Sequence, residues 1–222
     1  MKRILEHSEN IVYLDLADDI SENNGNYIIA TSDPDDTQRI KELSRHGFIF
    51  LDRTLLETIE TRKLNDRLLR MIRYDVSEDD TFTDDVFDLA KRTFEKDRRF
   101  HLKPDYDKND AAHLIDRYIK YFETQESILF KCKYKEQLAG FIIISNLGSS
   151  SCENVLGAVA PEFQSRGAAV SLYVYMVKAL REKGFEQITG RISTKNSASL
   201  NLHILLGATF SKPLDTYIKS FL

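Results

Sequence analysis

Cysteine is scarce in this sequence. Only Cys132 and Cys152 occur among the 222 residues, which is too few for a disulfide framework or a tetrahedral zinc site. Neither lies in a cationic turn of the kind that activates a thiol, so a cysteine nucleophile is not indicated. We expect both to be small core residues of a protein kept in a reducing compartment.

Long apolar runs and an excess of positive charge are also missing. No stretch of about 18 apolar residues occurs, and residues 1–7 lack the apolar centre of a signal peptide. The formal net charge is −4, and no basic stripe is present. These absences argue against a membrane span and a nucleic-acid partner, and they predict a cytoplasmic location without a metal site.

The composition is that of an ordinary globular protein, with 42% hydrophobic and 30% charged residues. A chain of 222 residues can form one large domain, or a domain of about 150 residues with a smaller companion. An acidic segment at residues 75–85 separates the two halves in composition. We therefore predict a small N-terminal α/β domain at residues 1–72 and a second domain at residues 73–222.

The N-terminal part shows short β-type runs and one helix. Asp33-Pro34 offers an N-cap and a first-turn proline for a helix ending near Arg45. No cluster of reactive side chains occurs here, so an architectural role is favoured. Strands are predicted at residues 11–16, 27–31, 48–51 and 68–74.

The C-terminal part alternates strands and amphipathic helices. A hairpin is predicted before a strand that leads into a glycine turn and a helix, and this order disfavours a plain dinucleotide-binding fold. The whole arrangement predicts an α+β protein. Strands are predicted at residues 128–133, 138–145, 152–160, 187–193 and 216–221, with helices starting near Val86, Asn109, Ala168 and Asn196.

Residues 155–169 form a strand, a glycine turn and the first turn of a helix. Such a turn directs unpaired N–H groups and the positive end of a helix dipole at one point, which suits a phosphate. Small residues from Gly167 to Ala169 allow close approach, and Arg166 adds charge. The alternative is a purely structural turn, because any junction between a strand and a helix can carry a glycine.

A second candidate site is the basic loop that contains Arg98, Arg99, Phe100 and His101. Arginine pairs bind diphosphates through bidentate hydrogen bonds. The alternative is a solvated connection between two helices.

The sequence Gln164-x-x-Gly167-x-Ala169 resembles the pyrophosphate loop of the GNAT-type N-acetyltransferase superfamily, Gln/Arg-x-x-Gly-x-Gly/Ala, and differs from its commonest form only at Ala169. The resemblance implies the GNAT fold, a mixed and mostly antiparallel sheet flanked by helices, with acetyl-CoA as cosubstrate. It also implies the residues that bind acetyl-CoA: Gly157, Ala158 and Val159 at the strand end, and Gln164, Ser165, Arg166, Gly167, Ala168 and Ala169 in the loop.

Residues 196–210 resemble a second GNAT segment, Asn-x-x-Ala-x-x-x-Tyr-x-x-x-Gly-Phe. Asn196 matches the asparagine that faces the cofactor. His203 stands where the family has a tyrosine that protonates the departing CoA thiolate, so the resemblance makes His203 the candidate catalytic acid. The alternative is a histidine packed under the sheet.

The domain layout and the Arg98–His101 loop resemble the sugar-nucleotide N-acetyltransferases of the dTDP-fucosamine type. That resemblance implies acetyl transfer to the 4-amino group of a dTDP-linked 4-amino-4,6-dideoxyhexose, with Arg98, Arg99, Phe100 and His101 at the acceptor, in surface-glycan biosynthesis. The alternatives are an acetyltransferase for another small amine or a protein N-terminus, and a non-catalytic acyl-CoA-binding regulator. A homodimer is left open.

Overall fold

The computed structural model describes residues 11–14, 27–95, 97, 100, 108–145 and 147–220. Nine strands are present: β1 (Ile11–Leu14), β2 (Tyr27–Ser32), β3 (Ile49–Glu60), β4 (Asp75–Glu78), β5 (Ile128–Tyr134), β6 (Gln137–Ser145), β7 (Ser151–Val159), β8 (Gln187–Ser193) and β9 (Thr209–Ser220). The helices are α1 (Thr37–Arg45), α2 (Asp66–Leu69), α3 (Asp84–Phe94), α4 (Lys108–Glu123), α5 (Ala168–Glu182) and α6 (Ser197–Leu205).

All nine strands belong to one mixed sheet, in the order β1-β2-β9-β3-β8-β7-β6-β5-β4. The strands from β4 to β7 are antiparallel neighbours, whereas β7 and β8 are parallel. The connection between that parallel pair is α5, as a parallel crossover requires. The predicted α+β class and mixed sheet are confirmed.

Helices cover both faces of the sheet at the end formed by β4 to β7. Residues 138–145 of β6 are all buried, although alternate side chains of a strand point to opposite faces. The helix α3 packs on β6 and β7 and against α4, while α5 packs on β4, β5 and β6. The main core therefore lies on both sides of the strands that lead to the glycine turn.

The N-terminal part differs from the prediction in three places. Asp36, and not Asp33, caps α1, because its Oδ1 accepts a hydrogen bond from the Arg39 N–H at 2.9 Å. The strand predicted at residues 48–51 continues to Glu60. The strand predicted at residues 68–74 is wrong: Asn65 caps the short helix α2, whose Leu68 is buried, and the strand β4 lies in the acidic segment.

The division at residue 72 stays a prediction, and backbone pairing joins the two parts across it. The strand β3 lies between β8 and β9 and is antiparallel to both. Arg53 of β3 also makes a bidentate ion pair with the buried Asp215 of β9, at 2.6 and 2.8 Å. A second, smaller core lies at this end of the sheet and consists of Leu14, Ile28, Ala30, Leu43, Phe48 and Tyr217.

Candidate acyl-CoA site

The strands β7 and β8 form a fork. They pair in parallel only from Ser151–Gln187 to Asn154–Gly190. Beyond this point β7 continues along β6, and β8 continues along β3. The side of β7 that faces away from β6 therefore has no strand partner after Asn154 in the described part of the chain. The Val155 and Val159 carbonyls accept hydrogen bonds from the side chains of Tyr118 and Gln164, and the other main-chain groups on that side are available to a ligand.

A β-bulge accounts for the fork. Ile143 of β6 pairs with Leu156, and Ile144 pairs with Asn154, so that Val155 is an extra residue in β7. A bulge bends its strand and increases the local twist. Because it lies immediately after the last residue paired with β8, it turns the end of β7 away from β8.

Gly157 lies within the fork, beside a side chain of α5. A Cβ atom at Gly157 would collide with the hydroxyl of Tyr173, which extends from α5 to the main chain of β7. Ala158 is buried and Val159 is partly exposed. The predicted strand-end residues thus lie along the unpaired side of the fork, next to a tyrosine hydroxyl.

The glycine turn follows the end of β7 directly. Gly167 has φ of 88°, and Ser165 has φ of 62°, so two left-handed residues reverse the chain into α5. The Gln164 side chain donates a hydrogen bond to the Val159 carbonyl at 3.1 Å and holds the turn against the strand. Ser165 and Arg166 are exposed, whereas Ala168 is fully buried and Ala169 is partly exposed.

The first turn of α5 has the geometry of an anion site. An α-helix leaves its first N–H groups without intrahelical acceptors, and no side chain caps α5. A Cβ atom added at Gly167 would meet no atom within 4 Å, so the space above the turn is open. The residues of the turn and of the strand end therefore fit the pyrophosphate and pantetheine parts of an acyl-CoA.

Asn196 acts as the N-cap of α6. Its Oδ1 accepts a hydrogen bond from the Ser199 N–H at 3.0 Å. This cap accounts for the asparagine at the start of the helix. The cofactor contact implied by the family resemblance stays a prediction.

His203 lies in a buried pair with Glu57. Both side chains are 1% exposed, and His203 Nδ1 contacts Oε2 of Glu57. The imidazole also packs edge-on against the Tyr173 ring, with 4.9 Å between ring centroids. Neither ring nitrogen of His203 makes a hydrogen bond to the described residues, and only Nδ1 has the contact with the Glu57 carboxylate. The histidine is thus buried, as the structural alternative expects.

Glu57 and Tyr173 were not identified from the sequence. Glu57 pairs with Gly190 across β3 and β8, and its Oε1 would stand 2.6 Å from a Cβ atom at that glycine. The sequence signal that could have identified Glu57 is a carboxylate within the otherwise mostly apolar run of residues 55–59. Tyr173 lies in the helix predicted to start near Ala168, and its hydroxyl gave no signal in the sequence.

The predicted acceptor residues are described only in part. Arg98, Arg99 and His101 lie outside the described residues. Phe100 is 1% exposed and packs edge-on against Tyr118, with ring centroids 5.6 Å apart. Its ring thus belongs to the core, and its predicted acceptor contact remains untested.

The cysteines and the helices carry no additional chemistry. Burial raises the pKa of the Cys132 and Cys152 thiols to about 12, as expected for core residues. Among the described residues, no group of three or more His, Cys, Asp or Glu side chains is placed to hold a metal ion. No described helix has the length and apolar character needed to cross a membrane.

Comparison with known families agrees with this geometry. The sequence model of the acetyltransferase (GNAT) family matches residues 83–208, more than half of the chain. The protein therefore belongs to the GNAT acetyltransferase family, whose fold binds acetyl-CoA and carries out acyl transfer. A search among curated proteins gives no match.

Solved structures support the same fold. A functionally unknown conserved protein from Staphylococcus epidermidis aligns over 89% of this chain and 74% of its own, with 13% identity and a TM-score of 0.64. A tandem GNAT protein from the clavulanic acid biosynthesis pathway aligns over 87% of this chain and 64% of its own, with 9% identity and a TM-score of 0.56. A GCN5-related N-acetyltransferase from Sphaerobacter thermophilus aligns over 87% of this chain and 59% of its own, with 10% identity and a TM-score of 0.56. At sequence identities this low, the three alignments show similarity of fold alone.

Proposed function

We propose that this protein transfers the acetyl group of acetyl-CoA to a primary amine by direct attack in a ternary complex. The observation that supports this best is the continuity of the fork with the uncapped turn at Gly167. A thioester that lies along β7 would place its pyrophosphate over the first turn of α5, where unpaired N–H groups and the helix dipole favour negative charge.

In this proposal each part of the chain has a separate task. The main chain of residues 155–159, on the side away from β6, binds the pantetheine arm and orients the thioester. Its N–H groups stabilise the negative charge that develops on the carbonyl oxygen. Gln164 holds the turn in place through Val159. The amine attacks in its neutral form, so an ammonium substrate first loses one proton. The nitrogen then loses a second proton as the C–N bond forms.

For the acceptor, we propose the 4-amino group of a dTDP-linked 4-amino-4,6-dideoxyhexose, with Arg98 and Arg99 on the diphosphate. The support is chemical: guanidinium pairs match diphosphate oxygens, and the residues follow α3, which packs on β7 beside the fork. Another small amine or a protein N-terminus is the alternative acceptor.

The test is release of CoA thiol from acetyl-CoA with a panel of amines. The panel contains the dTDP-amino sugar, the same sugar without the nucleotide, and a peptide with a free N-terminus. Turnover only with the nucleotide-linked sugar supports the full proposal. Preference for another amine would show that the acceptor is that amine and not the dTDP-amino sugar. Binding of CoA without thiol release from any amine would identify a non-catalytic acyl-CoA-binding protein.

The arginine assignment has its own test. Replacing Arg98 and Arg99 with Gln should raise the KM for the dTDP-amino sugar about tenfold or more, on the scale of charge-assisted hydrogen bonds, and leave KM for acetyl-CoA unchanged. Arg62→Gln is the matched control, since the Arg62 side chain is 82% exposed and lies in the turn after β3. Equal losses for both substrates would remove the loop from the acceptor site.

A further inference from the structure

A carboxylate and an imidazole are buried together below the fork, and they come from distant parts of the chain. Glu57 belongs to β3 and His203 to α6, and each side chain is 1% exposed. The titratable groups that contact the imidazole in the described structure are Glu57 and Tyr173 of α5. Burying two ionisable groups is costly, and an apolar pair of the same volume often packs as well or better.

The contact with Glu57 defines which nitrogen of His203 carries the proton in the neutral ring. A lone pair on Nδ1 would face the lone pairs of a carboxylate oxygen, whereas an Nδ1–H group can donate to that oxygen. The neutral imidazole therefore carries its proton on Nδ1 and a lone pair on Nε2. Neither ring nitrogen makes a hydrogen bond to the described residues, but only Nδ1 contacts the carboxylate. A buried acceptor at Nε2 without a donor is unfavourable. Nε2 is therefore suited to accept a hydrogen bond from a donor group on the substrate.

The pair lies at the point where the fork opens. The Glu57 carboxylate lies over Gly190, whose partner Asn154 is the last residue of β7 that pairs with β8. On the other side, the Tyr173 ring contacts the imidazole, and its hydroxyl lies over Gly157. Contacts on both sides thus connect the pair to the strand segment assigned to the thioester.

We propose that His203 Nε2 accepts the proton of the attacking amine and that Glu57 is a positioning residue that holds the imidazole in the Nδ1–H form. This proposal rests on the acetyl transfer proposed above. As the C–N bond forms, the nitrogen loses one proton to Nε2, and the Glu57 carboxylate balances the imidazolium charge. As the C–S bond breaks, the imidazolium returns that proton to the CoA thiolate. The role implied by the family resemblance, proton donor to the thiolate, becomes the second half of one cycle.

The decisive variant is Glu57→Gln, which keeps the volume and removes the charge. We expect kcat to fall about a hundredfold, at the lower end of the range for general acid–base catalysis. KM for acetyl-CoA should be unchanged. A folded Glu57→Gln variant with native kcat would overturn the proposal.

The matched control is Asp215→Asn. Asp215 is also a buried carboxylate, but it lies on β9 and pairs with the guanidinium group of Arg53. We expect Asp215→Asn to lose about as much thermal stability as Glu57→Gln, since each variant neutralises a buried carboxylate. Its kcat should stay within about twofold of wild type, because Asp215 is not part of the proposed catalytic site. An equal fall in kcat in both variants would show that lost stability explains the effect, and would overturn the proposal.

A measurement on the wild-type protein covers the case in which Glu57→Gln fails to fold. Nitrogen-15 NMR of labelled histidine distinguishes the two neutral tautomers, and we expect His203 to carry its proton on Nδ1. The Nε2–H tautomer would overturn the proposal without any variant. Absence of thiol release by the wild-type protein with every amine would overturn the proposed function itself, which the NMR result does not depend on.

Discussion

At the scale of single residues, Gly167 connects the backbone conformation to ligand binding. Its φ of 88° is one that residues with a side chain rarely adopt, and nothing occupies the space where a Cβ atom would stand. Gly184, at the other end of α5, has φ of 92° and is equally open. The two glycines have the same left-handed backbone conformation, but only Gly167 lies at the proposed pyrophosphate site.

This pair gives a matched prediction. Gly167→Ala and Gly184→Ala should each lower the free energy of unfolding by about 1–2 kcal/mol, the cost of a left-handed residue with a side chain. Only Gly167→Ala should also weaken CoA binding, by about tenfold, or about 1.4 kcal/mol. Calorimetry with CoA measures the binding, and thermal melts measure the stability. Equal CoA affinities in the two variants would show that the turn does not hold the pyrophosphate.

The cysteines give a second prediction at this scale. Their pKa of about 12 lies well above the usual value near 8.5, so the reactive thiolate is scarce at pH 8. We expect neither thiol to react with Ellman's reagent at pH 8 in the native protein. Both should react in denaturant. Rapid reaction of one thiol in the folded protein would contradict the burial of that residue.

At the scale of elements, the pair of β4 and β5 contains a lysine inside the sheet. Lys131 of β5 is 3% exposed, and its Nζ donates a hydrogen bond to Asp79 Oδ2 at 2.9 Å. This hydrogen bond is the largest cause that lowers the pKa of Asp79 from 3.8 to about 2. The residue after the edge strand thus neutralises a buried cation in the next strand.

The lowered pKa predicts how stability depends on pH. A carboxyl group whose pKa is lower in the folded state stabilises the fold above its unfolded pKa, and the stabilisation is lost as pH falls through the folded value. Asp79→Asn should therefore lower the free energy of unfolding at pH 7 by about 1–2 kcal/mol, reduced by solvent screening of a carboxylate that is 34% exposed. The difference from wild type should shrink between pH 4 and pH 2 and vanish below about pH 2.

The control for this prediction is Asp88→Asn on α3. Asp88 pairs with Lys91 at 3.1 Å, but its side chain is 70% exposed. Exposed pairs of this kind contribute about 0.5 kcal/mol or less. Urea unfolding curves at a series of pH values measure both variants. A loss in Asp79→Asn that stays constant from pH 7 to pH 2 would show that the ion pair is not its cause.

At the scale of the whole molecule, the N-terminal strands belong to the sheet that carries the site. The described pairings of β9 are with β2 and β3 alone, so the last strand is attached to the remainder of the sheet through β3. Glu57 and Arg53 of β3 also supply the partners of the buried His203 and Asp215. The catalytic part of the proposed function thus depends on residues that precede the predicted domain boundary.

This arrangement predicts the behaviour of truncated chains. A segment of residues 73–222 should fail to form a stable monomer, because β9 loses both neighbours and two buried polar residues lose their partners. Removal of residues 1–26, of which the structure describes the four-residue edge strand β1, should preserve a cooperative thermal transition. Circular dichroism and limited proteolysis compare the two. A folded 73–222 segment that binds CoA would establish the predicted two-domain division.

Local features could be predicted from the sequence because their causes are local. The strand at residues 187–193, the hairpin, the cap at Asn196 and the turn at Gly167 depend on alternation, capping and glycine conformation within a few residues. Residues 68–74 misled the prediction, because their apolar content suits a strand. The cap at Asn65 and the burial of Leu68 in the main core place a helical turn there instead.

Local sequence patterns predict the secondary structure around the glycine turn, carry the resemblance to the GNAT family and identify His203 as a candidate residue. They do not predict that β3 lies between β8 and β9, that the bulge at Val155 opens the fork, or that Glu57 contacts His203. Pairing between strands distant in the chain is selected by the burial of whole faces of the sheet. No short segment carries that information, since the same run of residues 49–60 could pair with any strand whose face it completes.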